Sequence, residues 1–348
     1  MAAVTIQDVK RIAIRTAIVI VAIVALLGTA LTWAWRTRPD IADTGLHPAV
    51  NDVIAPNAVT VIWLGVTTLL FDDSETQILI DGFISRPSLF DTLMRVPVAS
   101  DAPMINYVMN EYRMQRLAAI IPAHSHYDHA MDVGAIANRS SASILGSEST
   151  ANIARGAGVP EDQIAVVAAG EEYRFGNFTV RLIPSVHAPI GLRGSVPLMG
   201  TVDEPLETPA PVTAWREGGS YTIIVSHPQG TTIVQGSAGY VEGALDDVQA
   251  DVVMLGVGLL EGLGRDYAEG YWQALVTATG AARVFPIHFD NYTRPFGKIV
   301  LLPTVLDNFV NTAKWLQEFR GTWDTDTLVF LPVFGEPLML YPEESPDA

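Results

Sequence analysis

The sequence predicts a mixed α/β body hung on one N-terminal membrane-spanning helix, and three observations carry that prediction. Residues 16–35 run for twenty positions without a charge. From residue 58 onward, short β-branched and apolar runs alternate with segments of helical period, the pattern of sheets covered by helices. Within that body His124, His126, Asp128 and His129 fall inside six residues, directly after the apolar run 117–121.

Composition bounds the rest. With 348 residues, 49% of them hydrophobic, the chain can fill one large core or two small ones. Its net charge of −17 lacks the basic footprint of a nucleic-acid binder, so any anionic ligand would need cations to attract it. The absence of cysteine excludes disulfides and thiolate ligands and leaves the redox compartment open.

As a helix rising about 1.5 Å per residue, residues 16–35 span about 30 Å, the thickness of a bilayer's hydrocarbon core. Lys10, Arg11 and Arg15 precede the run, Arg36 and Arg38 follow it, and Trp33 and Trp35 occupy interfacial positions. This bias predicts a single-pass protein with residues 1–15 cytoplasmic and the body extracytoplasmic, periplasmic in a bacterium. The alternative is a cleaved signal peptide and a secreted body. The run exceeds the roughly 7–15 apolar residues usual in signal peptides and ends in tryptophans, which favours the anchor. Residues 36–57, with Pro39, Pro48 and Pro56, read as a linker in which His47 is solvated. The body then occupies 58–342, followed by an acidic tail at 343–348.

Residues 59–63, 68–72 and 77–81 read as a meander of strands. A proline-containing stretch leads into a helix at 105–114. After the histidine cluster come a helix at 131–138, a strand at 142–145 and a helix capped by Ser147 and running to about residue 155. Gly176 and Asn177 join strands 171–175 and 178–183 in a hairpin. Residues 188–219 form a long loop, rich in Pro and Gly, that reads as a lid, a substrate wall or a mobile insertion. Strands 221–226 and 231–235 pair across a turn holding His227. Residues 244–248 read as helical and 251–255 as a buried strand. Residues 256–264 are glycine-rich without dinucleotide-binding spacing. A helix at 266–279, a strand at 282–287, a helix at 307–319 and strands at 327–331 and 337–341 complete the body.

In an extended turn, His124 and His126 project to one side and can reach one cation, while Asp128 and His129 sit further round and can reach a second. Imidazole and carboxylate suit zinc, and iron or manganese as well. Four such side chains in six positions, in a chain with seven histidines, do not read as scattered surface polarity.

The H-x-H-x-D-H pattern after a strand resembles the signature of the metallo-β-lactamase superfamily. The likeness extends to residues 61–71 and 77–83, which are similar to the opening strands of the branch containing ascorbate-6-phosphate lactonase and N-acyl-phosphatidylethanolamine phospholipase D. It continues through 183–187 and 284–288 and covers about 58–342. The resemblance implies a four-layer αββα sandwich, with His124, His126 and His187 holding one ion and Asp128, His129 and His288 a second. It also implies that Asp81 orients a ligand histidine from behind; by itself Asp81 reads equally as a strand-ending turn aspartate. The implied chemistry is a metal-dependent hydrolase, in which metal-bound hydroxide attacks an ester, lactone, amide or phosphodiester while Asp128 orients it. Zinc, as one or two ions, is the expected cofactor. Cleavage of β-lactams is not implied by the family name.

One position departs from that pattern. Where the family has Gly-Asp-Thr-Gly-Tyr, this chain reads Gly236-Ser-Ala-Gly-Tyr240. A serine brings no negative charge and is a poor zinc ligand, so Ser237 is left as a contact to a metal or its water. Three outcomes compete: a one-metal enzyme, a two-metal enzyme bridged by hydroxide, or a metal-binding or sensing module without turnover. Beyond His288, Tyr292 and Arg294 are candidate substrate contacts, Arg294 suiting phosphate or carboxylate. The expected partners are a small-molecule or lipid-like substrate and, through the helix, a membrane.

Overall fold

Strand-forming runs gather in two blocks of sequence, and each block makes its own sheet. The computed structural model describes residues 6–50 and 54–342. Helix α1 (Ile6–Arg36) keeps its apolar side chains exposed from Ile12 to Trp33, and its stretch Lys10–Arg36 is long and apolar enough to cross a membrane. A two-residue strand, β1 (His47–Pro48), follows.

The first block runs β2 (Thr60–Trp63), β3 (Leu69–Asp72), β4 (Gln77–Ile80), α2 (Leu89–Met94), α3 (Ala102–Glu111), β5 (Leu117–Ile121), α4 (Tyr127–Ala130), α5 (Val133–Ser140), β6 (Ser143–Gly146), α6 (Glu148–Gly156) and β7 (Ile164–Val166). The second runs β8 (Glu172–Phe175), β9 (Phe178–Ser185), β10 (Ser220–His227), β11 (Gly230–Gln235), β12 (Val252–Gly256), α7 (Arg265–Trp272), β13 (Arg283–Ile287), α8 (Phe309–Trp323) and β14 (Leu328–Leu331). The last strand, β15 (Pro337–Met339), returns to the first sheet, whose order is β15-β2-β3-β4-β5-β6-β7. The second sheet has the order β1-β14-β13-β12-β11-β10-β9-β8.

Side-chain alternation along a strand explains how the two sheets stack. In the first sheet Leu69, Phe71, Ile78 and Ile80 face a core shared with Leu182, Ile223, Val234 and Met254 of the second. Their neighbours Leu70, Leu79, Ile120 and Ile144 face a separate core with Ile105 of α3 and Val133 and Ile136 of α5. A sheet covered on both faces reads as continuous apolar runs, which is what these strands are. On the far side of the second sheet, Trp272 of α7 and Leu316 and Phe319 of α8 close the core. The layers are therefore helix, sheet, sheet and helix, as the resemblance implies.

Two expectations are corrected. The linker at 36–57 is docked in part: Asp40 caps a turn at Ile41–Thr44, Thr44 and Leu46 are buried, and β1 pairs parallel with β14 at the sheet edge. Pro48, with no N–H to donate, suits an edge strand. Residues 244–248 make successive turns, with the amides of Ala244, Asp246 and Val248 each bonding a carbonyl three residues back. So short a segment cannot recover the cost of starting an α-helix. Helix α2, unforeseen, is set by a reciprocal cap in which Ser88 and Asp91 satisfy each other's amides.

The shared core also carries a stability prediction. Phe285 of β13 is fully buried between Arg283 and Phe330. Phe285→Ala should cost about 3–5 kcal/mol, read as a fall in the denaturation midpoint by circular dichroism. An unchanged midpoint would contradict this packing.

Candidate metal centre

The segments that follow the C-terminal ends of β5, β9 and β13 bring six donor residues together in two groups, with the ends of β4 and β11 supplying Asp81 and Ser237. His124, His126 and His187 form the first, with donor atoms all within 4.8 Å of one another. Asp128, His129 and His288 form the second by the same measure. Asp128 Oδ2 lies 3.8 Å from His129 Nε2 and 3.5 Å from His288 Nε2. The ring centroids of His124 and His129 are 3.8 Å apart, so the two groups adjoin.

The hydrogen bonds behind the rings show which nitrogens are left for a cation. His126 Nε2 bonds the Pro197 carbonyl at 3.0 Å, and His187 Nδ1 bonds the Ala188 carbonyl at 2.8 Å. A carbonyl only accepts, so each of these nitrogens carries the proton and the ring's other nitrogen presents a lone pair. That nitrogen of His126 is Nδ1, which lies 3.0 Å from His124 Nε2. His129 Nδ1 meets Asp81 Oδ2 at 2.7 Å, which turns its Nε2 toward Asp128. Rings oriented from behind by oxygen acceptors are the usual support of metal-bound histidines, so the residues fit a divalent cation in each group.

Asp81 is fully buried with φ +56, and its Oδ1 accepts the Ala123 amide at 2.7 Å. The same carboxylate therefore holds the histidine ring and the start of the 124–129 loop. Thr67 Oγ1 joins it, bonding both Asp81 and His129 Nδ1.

Charge in the site follows from burial. Desolvation, with the neighbouring imidazoles, holds His124 well below its ordinary value and lowers His187 to about 4. His126 shifts down for the same first reason, opposed by Asp128. His129 is raised, because Asp81 and Asp128 outweigh its desolvation. Asp128 is lowered: burial pushes it up, but His129 and a bond to His288 outweigh that. Without a cation, the first group is three neutral imidazoles and Asp128 is ionised at neutral pH.

Ser237 lies at the edge of the site, and its Oγ accepts the Ala188 amide at 2.9 Å, one residue past His187. The adjoining glycines are needed for this approach: a Cβ on Gly239 would meet the Val186 carbonyl at 2.0 Å, and one on Gly236 the Ala123 side chain at 2.5 Å. Tyr292 is brought in, its ring 6.0 Å from His288 and 6.3 Å from Tyr127. Arg294 sits on the exposed side of the same turn. His227 ends β10 away from the site, 3.5 Å from Asp73, and His47 is in β1.

Sequence reasoning missed a buried pair that braces the second group. Arg86 donates to the Leu64 carbonyl at 3.1 Å and lies 3.8 Å from Asp290, with both side chains almost fully buried. Asp290 Oδ1 accepts the Val66 amide, and the Val66 carbonyl accepts the His288 amide at 2.9 Å. The turn at residues 65–67 thus holds His288 through Val66 and His129 through Thr67. Gly65, at φ +88, leaves room for the guanidinium, since a Cβ there would lie 2.7 Å from it. A lone Arg and Asp two hundred residues apart carry no spacing signal that could have marked them.

No protein-family model matches the sequence, and neither does any curated protein. Solved structures do match over most of the chain. The metallo hydrolase Igni18 from the archaeon Ignicoccus hospitalis KIN4/I is 14% identical, covering 81% of this chain and 97% of its own, with a TM-score of 0.48. YhfI from Bacillus subtilis, a metallo-β-lactamase fold protein, is 13% identical over 81% of this chain and 98% of its own, with a TM-score of 0.49. CmlA from Streptomyces venezuelae, a diiron β-hydroxylase, is 12% identical over 83% of this chain and 55% of its own, with a TM-score of 0.48. At these identities and scores, what this chain does rests on its own residues.

The buried imidazoles set a pH dependence. Unfolding returns His187 to about 6.5, so the unfolded chain takes up its proton first as pH falls. Stability of the cation-free protein should then fall as pH drops from about 6.5 toward 4, with His124 and His126 acting in the same direction and His129 offsetting part. Thermal melting of chelator-treated protein across that range should show a falling midpoint that His187→Asn flattens. Identical pH profiles for the two proteins would refute the burial of a neutral His187.

Proposed function

We propose that this chain is a metal-dependent hydrolase, anchored in a membrane by α1, acting on an ester, lactone, amide or phosphodiester. The observation that carries this reading is the pair of adjoining donor groups, in which the far nitrogens of His126, His187 and His129 are each held by an oxygen acceptor. His124, His126 and His187 would hold one ion and Asp128, His129 and His288 the other, with zinc favoured by the imidazole-rich set and iron or manganese also compatible. A divalent cation in such a site supplies Lewis acidity and lowers the pKa of coordinated water toward about 7.

The chain's own residues supply the rest. Asp128, ionised within the second group, accepts a hydrogen bond from a water molecule and turns its lone pair toward the substrate. Tyr127 and Tyr292 are both raised above the ordinary tyrosine value, chiefly by burial, and so stay protonated. Tyr292, beside His288, would donate to an oxygen that gains charge as the bond breaks. Arg294, on the same turn, would meet an anionic substituent of a substrate. On the anchor reading the N-terminus is cytoplasmic and the site extracytoplasmic.

Ser237 favours a second reading, a metal-binding module without turnover, because its hydroxyl is engaged with Ala188 and brings no charge between the ions. Elemental analysis with a panel of generic esters and phosphodiesters separates the two. The wild type should turn over at least one substrate, and His126→Ala should abolish turnover and lose the cation of the first group. Ser237→Asp should raise metal content from about one to about two equivalents if the serine weakens the second ion. Metal bound without turnover of any substrate at any loading would overturn the hydrolase and leave the binding module.

A further inference from the structure

We propose that the loops around the donor groups form a docking surface for the bilayer that α1 crosses, so that the site opens onto lipid headgroups. This rests on the reading of α1 as an uncleaved anchor. Three segments build the surface, and each touches the centre. Thr92 of α2 bonds Tyr127, the Pro197 carbonyl bonds His126, and Tyr292 packs against His288.

These segments expose large apolar side chains. Phe90 and Leu93 of α2, Leu192 and Met199 of the long loop, and Val305 and Leu306 ahead of α8 are each more than half exposed. Scattered single apolar residues need no partner, but pairs of them on three segments that each contact the centre call for one.

Charge points the same way. In a chain of net charge −17, residues 89–97, 191–201 and 291–306 carry the exposed cations Arg95, Arg193, Arg294 and Lys298; Asp91 caps its own helix, and the acids of the long loop, Asp203, Glu204, Glu207 and Glu217, follow beyond Thr201. Apolar tips beside long cationic side chains match an interface in which hydrocarbon lies below phosphate.

The anchor also reaches this region. The turn at Ile41–Thr44, four residues past α1, packs on α8, and Asp43 and Thr44 border a cleft with Asn308 and Asn311 at its start. Asn308 lies two residues past Leu306. A site set against the membrane in this way draws an amphiphile from the bilayer in preference to a solute from bulk water.

The absence of native cysteine allows a direct test with the full chain in phosphatidylcholine vesicles. Phe90→Cys, Leu192→Cys and Val305→Cys would each carry an environment-sensitive fluorophore. Val24→Cys reports on the anchor. Leu328→Cys, exposed at the opposite end of the sheet from His288, is the aqueous reference. The three rim labels should shift to the blue and lose emission to nitroxide-bearing lipid, while the Leu328 label does neither. Rim labels that behave like Leu328 while the Val24 label is quenched would overturn docking and leave the anchor standing. If the Val24 label escapes quenching, the anchor reading and the docking that rests on it both fall.

Discussion

The constraint on which the site end of this protein depends is the desolvation of five imidazoles and two carboxylates in one small volume. Each polar group taken from water must find a partner or shift its charge. The structure does both. His124, His126 and His187 are held neutral by burial, while Asp81 and Asp128 share the neighbourhood of His129, the one ring raised in pKa. A cluster of neutral rings with inward lone pairs is unfavourable packing for a protein alone and favourable packing around a cation.

The two donor groups are supported by different parts of the chain. The first depends on the loop after β5, the end of β9 and the long loop that places Pro197. The second depends on the turn at 65–67, which the buried Arg86 and Asp290 pair fixes from behind. Breaking a buried pair of this kind leaves an uncompensated charge, with a cost of about 3–5 kcal/mol, so this brace tolerates little variation. Ser237 belongs to the first support, because its hydroxyl holds the amide after His187. What the serine lacks is a carboxylate between the groups, and Asp128 is left as the sole acid among the six donors.

The part of the chain between anchor and body is shorter in effect than its length suggests. Burial of Thr44 and Leu46 and the pairing of β1 with β14 tie residues 41–48 to the second sheet. The free reach between the end of α1 at Arg36 and the first docked residues is only a few positions, which restricts how far the body can move from whatever holds the helix.

Much of the fold was legible in the sequence because period and propensity are local. The strands, the hairpin at Gly176 and the helix after His129 are set by alternation, turn residues and caps within a few positions. Four of the six donors were visible because they sit together within six residues, across the turn after β5 and the start of α4. The extent of α2, the turns at 244–248 and the docking of the linker were not legible, since they depend on a cap pair, on segment length and on a sheet edge supplied from elsewhere. His187 and His288 were reached only through resemblance, and Arg86, Asp290, Thr67 and Pro197 not at all. The sequence by itself determined that this chain carries a metal-ligand motif on an α/β body behind an apolar helix. Only the tertiary structure decided which nitrogen of His126, His187 and His129 faces inward, because the oxygens that hold those rings come from strands and loops distant in sequence and brought together by the packing of two sheets.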